Sequence, residues 1–524
     1  MRWSLRPILG ALSLWATVAH AEVVIPTSGM IAGERLHHPE HLATVYAARQ
    51  FQPIWIEHGR PNGAAKRLLA TLAASETEGL RPAEYHVAAV QAVLTTSEAS
   101  PLRDLELLLS DGFVTYAEHL SHGRLHPAQL GINWHIPRPT PDLAHFLTIV
   151  AAAPHKLGTV LDLLQTERAA YRPLMDAVAR YRTLAAEGGW PIVAYTRRDK
   201  FVPGDRDPRL ATIRARLAVT GDITAHTSTA ESDLFDESLQ SAIAAFQTRH
   251  GLTPDGVIGF GTLAALNVTV EARIEQLLVN LERLRWLPKI PHEHYLIANI
   301  PAYDLSLMDH DKPVLTMRTI VGQPHNETPT MHDEMEYLVF NPQWNVPERI
   351  ATKELLPKAK ADPEYLAKRR YKILQRTDGD TTELDPQAVN WEEIDAKTIR
   401  LQQASGGDNS LGRIKFIFPN RFDVYLHDTP ARGLFANQER ALSHGCVRVE
   451  HPRDLAALLL RDAGGWDRAE IDRVILRGRQ QVVPLPKKIP VYLLYQTAWV
   501  DDTGTVQFRN DIYGYDRRIA RAMR

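Results

Sequence analysis

The hydrophobic period of this chain changes once, near Tyr295, and that change divides what it can fold into. Before it, apolar residues recur at three- and four-residue spacing in Ala64 to Ala74, Leu102 to Leu120 and Lys156 to Ala185, the period of helices with one buried face. Breakers at Pro61-Asn62-Gly63, in the run from Pro137 to Pro141 and at Gly188-Gly189 separate these segments. After it, Tyr295 to Ile300, Val314 to Val321, Glu336 to Asn341 and Arg413 to Leu426 are short β-branched or aromatic runs bounded by turn residues, the pattern of strands. Helices first and strands afterwards define a multidomain α+β chain. Its 524 residues suffice for roughly three folded units.

The finer boundaries follow from punctuation. Residues 1–21 carry Arg2 and Arg6, an apolar run from Ile8 to Val18 and then Ala19-His20-Ala21, the three regions of a secretory signal. A helical scaffold domain is expected over 22–206, continued by 269–290, where Val270 to Leu287 reads as a helix packing back on it. Trp55 and Trp134 are expected in its core. Between these lies a three-helix unit over 207–268. Asp207-Pro208 starts a helix with the stripe Leu210, Ile213 and Leu217; Asp236 caps a second with Leu239, Ile243 and Phe246, ended by Gly251; Gly259 to Leu266 forms the third. A mainly-β domain spans 291–490. Within it, about 352–407 is charge-rich and helical in pattern, too long for plain loop, and is expected to cap the β domain. Residues 491–524 are expected to supply strands that complete the sheet.

Composition excludes some classes of function. Formal net charge is -2, so nothing global favours nucleic acid or an anionic membrane, and no segment after the leader reads as a membrane span. With export, the presence of a single cysteine becomes informative. No intramolecular disulfide can form, so an exported chain keeps that thiol either buried and inert or for chemistry.

That cysteine lies in Ser443-His444-Gly445-Cys446-Val447-Arg448-Val449, downstream of Tyr425-Leu426-His427-Asp428-Thr429-Pro430. From Arg421 to His427 the residues alternate. Phe422, Val424 and Leu426 belong on the core face, so Tyr425 and His427 project together into a groove on the other. Gly445 permits a close backbone approach, and the amides of Gly445 and Cys446 are candidate oxyanion donors. A thiol becomes a nucleophile when a neighbouring imidazole takes its proton. Two histidines compete for that role: His444 is constrained by its position two residues before the sulfur, whereas His427 arrives from another strand and can face it. Ser121-His122-Gly123 repeats the tripeptide within a helical region and lacks the cysteine, so the tripeptide alone signifies little.

The full string resembles the active-site signature of the L,D-transpeptidase catalytic domain (YkuD-type). Asn341-Pro342-Gln343-Trp344-Asn345-Val346-Pro347 resembles a second stretch of the large Gram-negative members. The run from Phe235 to Asn267 resembles a three-helix peptidoglycan-binding domain. The resemblance implies a helical scaffold, an inserted wall-binding domain and a mainly-β catalytic domain with a capping insertion. It implies Cys446 as nucleophile, His427 as general base and Gly445 with Cys446 as the oxyanion backbone. Arg448 matches an arginine that supports the site or meets a substrate carboxylate, and Tyr425, Ser443, His444 and Trp344 match pocket residues. Asp428 is expected among the substrate-binding residues too, although it stands where many relatives have glycine or serine, which leaves open whether a side chain or a carbonyl orients His427.

The implied activity is peptidoglycan 3-3 cross-linking through a cysteine thioester, in the periplasm, without a cofactor. The partners implied are stem peptides, glycan and other cell-wall synthases. Water as acceptor would instead make a carboxypeptidase, and a lipoprotein lysine would make an attachment or detachment enzyme. A wall-binding scaffold without catalysis and an ordinary cysteine peptidase are the readings from other classes. No metal site is expected: His37-His38 and His292-Glu293-His294 lack hydrolase spacing and read as surface histidines. Arg448 paired with Asp428 or Glu450 is the structural alternative to a substrate contact.

Overall fold

The structure is a computed structural model that describes residues 23–95, 102–166, 170–224, 232–290, 293–362, 364–377, 380–385, 389–390 and 398–524. The expected signal over 1–21 lies outside them. The chain forms two compact units, one from the residues up to Ser121 with Thr140–Thr166, the other from His122–Pro139 with Glu167 onward. The helical residues expected over 22–206 contribute to both units. Within the stretch expected as a helix from Lys156 to Ala185, the described residues form Leu157–Thr166 and Tyr171–Ala186. The second carries Leu174, Val178 and Tyr181 into the core that also holds Leu277, Leu281 and Leu284 of helix Val270–Trp286.

The first unit is built around helix Leu102–His122, which is buried almost throughout. Leu105, Leu108 and Phe113 meet Leu42, Trp55, Leu68 and Leu72 in its core. Among the buried carboxylates of this helix, Glu106 and Asp111 are each held by several partners. Glu106 accepts hydrogen bonds from Trp55 N at 2.9 Å and the Tyr46 hydroxyl at 2.6 Å. Asp111 accepts from His37 N and His38 N, each at 2.8 Å, and lies 2.8 Å from His86 Nε2. Glu34 sits 3.2 Å from His86 Nδ1. His37 is exposed as expected, but His38 is half-buried, with Nε2 3.0 Å from Glu118.

His37, His86 and Asp111 bring three potential ligand atoms within 4.8 Å of one another. The His37 and His86 rings are stacked at an interplanar angle of 23°, so their in-plane lone pairs run side by side instead of converging. The arrangement serves as an imidazolium–carboxylate brace.

The second unit contains the three-helix bundle Arg209–Val219, Glu237–Arg249 and Phe260–Leu266. Leu210, Ile213, Leu217, Leu239, Ile243 and Phe246 form its core. Asp236 caps its helix by accepting from Leu239 N at 2.8 Å. Asp207 accepts from Arg209 N at 2.9 Å, with Pro208 as the residue at the boundary. Trp55 and Trp134 are both in cores, as their settings in helical segments implied.

The β domain has nine strands: β1 Tyr295–Asn299, β2 Asp304–Asp309, β3 Lys312–Gly322, β4 Met331–Phe340, β5 Ile414–Ile417, β6 Leu426–His427, β7 Ala441–Ser443, β8 Val447–Val449 and β9 Gln481–Leu494. Their order is β7-β3-β8-β6-β5-β4-β9-β1-β2, and β2 pairs back with β3, so the sheet closes on itself. Leu296, Leu338, Phe416, Leu426, Val447 and Leu493 fill the core.

The insertion between β4 and β5 differs from the helical expectation. Its helices end at Lys368. Tyr371–Thr377, Asp380–Leu384 and Ile399–Gln403 join Trp344–Asn345 in a separate four-stranded sheet. Ile373, Ile399 and Leu401 alternate with polar residues and pack with Leu355, Leu356 and Leu366 in a core of their own, a period of two that charged neighbours had masked. Part of the expected helix in Trp391 to Ala404 lies outside the described residues. The C-terminal segment also differs in part. Residues to Leu494 complete the sheet in β9, but Ala498–Val500 and Val506–Phe508 form their own hairpin and Tyr515–Met523 is a helix. Arg283 pairs with Asp516 of that helix at 2.6 Å.

Among the described residues no single helix is long and apolar enough to cross a membrane. Leu143–Ala152 and Pro154–Leu164 pass only jointly and are bent by 120° at the break.

The brace in the first unit makes a prediction. Its carboxylate partners raise the His86 pKa against the pull of burial, and His86 and the two amides lower that of Asp111 against the opposing effect of burial. The His86 contribution is full below about pH 6.5 and is lost as pH rises through the raised value. That of Asp111 is full above about pH 4 and is lost as pH falls through the lowered one. His86→Ala should cost about 3–5 kcal/mol, because it strands a buried carboxylate. Urea unfolding of the full chain across pH will read it, with the variant's deficit largest between those two limits.

Candidate functional site

Strands β5, β6 and β8 lie side by side, and their register builds the site. Lys415 pairs with His427 across the antiparallel β5–β6 pair, and His427 with Arg448 across the parallel β6–β8 pair. Phe416, Leu426 and Val447 alternate into the core, which turns Lys415, His427 and Arg448 to the opposite face. One step along, Val447 N donates to the Tyr425 carbonyl at 3.2 Å, setting Cys446 beside Tyr425 on that same face. The expected alternation from Arg421 holds for Val424 to His427 only. Before it, Asn420 to Asp423 form a turn, with Asn420 Oδ1 accepting from Phe422 N and Val424 N.

The face forms the floor of a cleft of about 1550 Å³, with the insertion supplying other walls. Tyr425, His427, Ser443, His444, Cys446 and Arg448 all line it, and Trp344 lines it from the insertion. Cys446 is partly exposed there, its Sγ 3.8 Å from the Asp423 carbonyl. Burial pushes the thiol pKa up, while Tyr425, Lys415 and Arg448 pull it down, and the net direction is upward. The resting group is a thiol.

His427 Nδ1 lies 2.6 Å from the Asp428 carbonyl oxygen. A carbonyl only accepts, so Nδ1 carries the proton and Nε2 keeps its lone pair. The group that orients this ring is thus a backbone carbonyl. Burial, reinforced by the charges of Arg448 and Lys415, lowers the His427 pKa to about 3. The imidazole is neutral at ordinary pH and free to accept a proton.

Asp428, expected as a pocket residue, does not line the cleft. Successive residues point oppositely, so with His427 facing the cleft the Asp428 carboxylate turns away and is buried. It accepts from Arg413 N and Thr429 N at 2.8 Å and from Arg432 at 2.7 Å. Glu450 is held by Arg318. Among the described residues neither carboxylate pairs with Arg448, whose Nε has no hydrogen-bond partner, so the structural alternative for this arginine is not the one adopted.

The loop around the sulfur is held by hydroxyls. Ser443 Oγ donates to the Cys446 carbonyl at 2.5 Å and accepts from Gly445 N at 3.1 Å. Thr328 Oγ1 donates to the Gly445 carbonyl at 2.8 Å. Gly445 has φ +114°, a conformation that side chains disfavour. Its amide is engaged by Ser443, so of the two expected oxyanion donors the Cys446 amide is the one with no acceptor among the described residues. His444 Nε2 is paired with Glu354 of the insertion and is not free to serve the sulfur.

Two residues in contact with the expected site residues escaped the sequence reading. Lys415 lies between Ile414 and Phe416, which are both core, so alternation alone could have placed it beside His427. Its Nζ sits 3.7 Å from the centroid of the Tyr425 ring. Glu354 carries no local signal, since it meets His444 only through tertiary folding.

Family models match three segments: "Scaffold domain" over residues 40–178, "Putative peptidoglycan binding domain" over 206–266 and "L,D-transpeptidase catalytic domain" over 293–479. The chain carries an L,D-transpeptidase catalytic domain. A Haemophilus influenzae protein named "Putative L,D-transpeptidase" is 41% identical over 246 residues, 47% of this chain and 49% of that one. The chain thus spans about half the length of the curated relative it matches. Among solved structures, an L,D-transpeptidase segment from Xylanimonas cellulosilytica is 14% identical, with a TM-score of 0.19, covering 57% of this chain and all of that one. A Zn-dependent amidase/peptidase fused to a peptidoglycan-binding domain, from Clostridium acetobutylicum, is also 14% identical, with a TM-score of 0.15, covering 56% and 99%.

In this L,D-transpeptidase domain Asp428→Ala should act on stability. It removes the acceptor of two buried amides and should cost roughly 2–4 kcal/mol, read as a lowered midpoint in chemical denaturation. A substrate-contact role would instead lower kcat/KM at an unchanged midpoint.

Proposed function

We propose that this protein is a peptidoglycan L,D-transpeptidase forming 3-3 cross-links through a thioester on Cys446. The observation that carries this reading is the β6–β8 pairing, which sets the chain's single cysteine in the same cleft as an imidazole with Nδ1 tied to a carbonyl. In the reaction, His427 Nε2 takes the Cys446 proton and the thiolate attacks the carbonyl of the third stem residue. The Cys446 amide receives the oxyanion. D-Alanine leaves with a proton returned by His427, and an amine of a neighbouring stem resolves the thioester.

The lining suits such a substrate. It includes Arg349, Lys358, Arg369, Arg400, Lys415 and Arg448 against Glu348, Glu354 and Asp423, an excess of cation for chains rich in carboxylates. The insertion covers the cleft and limits water, which favours an amine as acceptor. The three-helix unit, matched to a peptidoglycan-binding model, supports stem peptides and glycan as the partners and a periplasmic site of action, consistent with the leader read in residues 1–21.

Cys446→Ala should abolish 3-3 muropeptide dimers in a reconstituted assay and abolish the mass increase that a carbapenem produces on the wild-type protein. Persistent dimers would defeat the assignment. A neutral His427 also sets the pH dependence. Because the imidazole stays unprotonated down to about pH 3, kcat/KM should show no acid limb near the usual histidine value of about 6.5. A limb there, absent from the unfolding profile, would contradict the placement of the base.

A further inference from the structure

The cleft floor poses an electrostatic problem that the sulfur and its base do not solve between them. Both rest neutral, in a partly enclosed setting, yet proton transfer leaves a thiolate that must be held until it attacks. An imidazolium at His427 is a poor counter-charge, since that ring sits between Lys415 and Arg448 in the sheet register and is opposed by both.

We propose that Lys415 is a further functional residue of this site, the fixed cation that holds the negative charge developing on Cys446. The proposal rests on Cys446 being the nucleophile. Geometry supports it in three ways. Register places Lys415 on the cleft face beside His427, and it lines the cleft with Cys446. The ring of Tyr425, neighbour of Cys446 across β6–β8, lies 3.7 Å beneath its ammonium, which restrains an otherwise flexible side chain. Among the described residues no carboxylate is within ion-pair distance of Nζ, so the charge is not cancelled locally. Burial lowers the Lys415 pKa, and its coupling with Cys446 works against that while lowering the pKa of the thiol.

The other groups facing the sulfur do not replace it. Tyr425 and Asp423 from the segment leading into β6 are a neutral hydroxyl and an anion, and His427 is neutral. His444 is occupied by Glu354 of the insertion. Arg448 on β8 assists with a second positive charge. In the step itself the Cys446 proton passes to His427 Nε2 and the sulfur lone pair forms the new S–C bond. The proton then leaves with the departing amine, and Lys415 keeps its own proton throughout.

The test is the pH dependence of iodoacetamide alkylation on the full chain, where Cys446 is the only cysteine and mass spectrometry reads its modification. Lys415→Met should move the alkylation midpoint upward by about one pH unit, which is roughly tenfold less thiolate at pH 7. Lys415→Arg should stay within about twofold of wild type. A midpoint in Lys415→Met that matches wild type overturns the proposal. Lys415→Gln repeats the comparison with a polar side chain should the methionine variant fold poorly, and the same two outcomes apply. Failure of the underlying reading is distinct: wild-type protein would then form no acyl adduct with a carbapenem, whatever the alkylation midpoint.

Discussion

The parallel pairing of β6 with β8 is the contact on which the rest of the site depends. Each strand and the residue before it supply two groups, Tyr425 with His427 and Cys446 with Arg448, which occupy one face because Leu426 and Val447 are committed to the core. A slip of one residue in either strand would bury a charged or polar group and expose an aliphatic one, so the hydrophobic effect enforces the register. The chemistry is therefore aligned by packing on the reverse side of the sheet. The sheet's closure through the β2–β3 pairing removes open edges where that register could be lost.

How much of this was legible in the sequence follows from how local each cause is. The alternation around Leu426 and the trio Val447-Arg448-Val449 gave the facing of the side chains. The caps and stripes of the three-helix unit gave Asp236, Leu239, Ile243 and Phe246 their places. The same rule of alternation turned Asp428 away from the cleft, although it was expected in the pocket beside His427. Lys415 was equally readable from Ile414 and Phe416 but drew no attention, because the motif lay elsewhere. The Glu354–His444 pair and the Thr328–Gly445 bond join segments about a hundred residues apart, and nothing within either segment announces the other.

The capping insertion shows where composition misleads. Its charged residues at helical spacing suggested helices throughout, but Ile373, Ile399 and Leu401 form a separate apolar layer that needs strands to reach it. An insertion with its own core can move as a body without unravelling the sheet beneath it. Trp344 starts this layer and lines the cleft, so the resembling stretch from Asn341 to Pro347 carries the chain from the closed sheet into the insertion.

Charge at the cleft floor follows from competition among burial, neighbouring cations and the backbone carbonyls of Asp428 and Leu411. Enclosure disfavours every ionised form, raising the thiol and lowering the imidazole. Lys415 and Arg448 act on the two groups in opposite senses: they favour thiolate and disfavour imidazolium. A preformed thiolate–imidazolium pair is thereby disfavoured at rest, and in the mechanism we propose the proton shift coincides with attack by the sulfur. The carbonyl of Asp428 fixes the tautomer without adding a negative charge, unlike a carboxylate, which would stabilise imidazolium. The buried side-chain carboxylate of the same residue, tied to Arg432 and two amides, holds that carbonyl in place, so a side chain that never reaches the cleft still decides which nitrogen of His427 is bare.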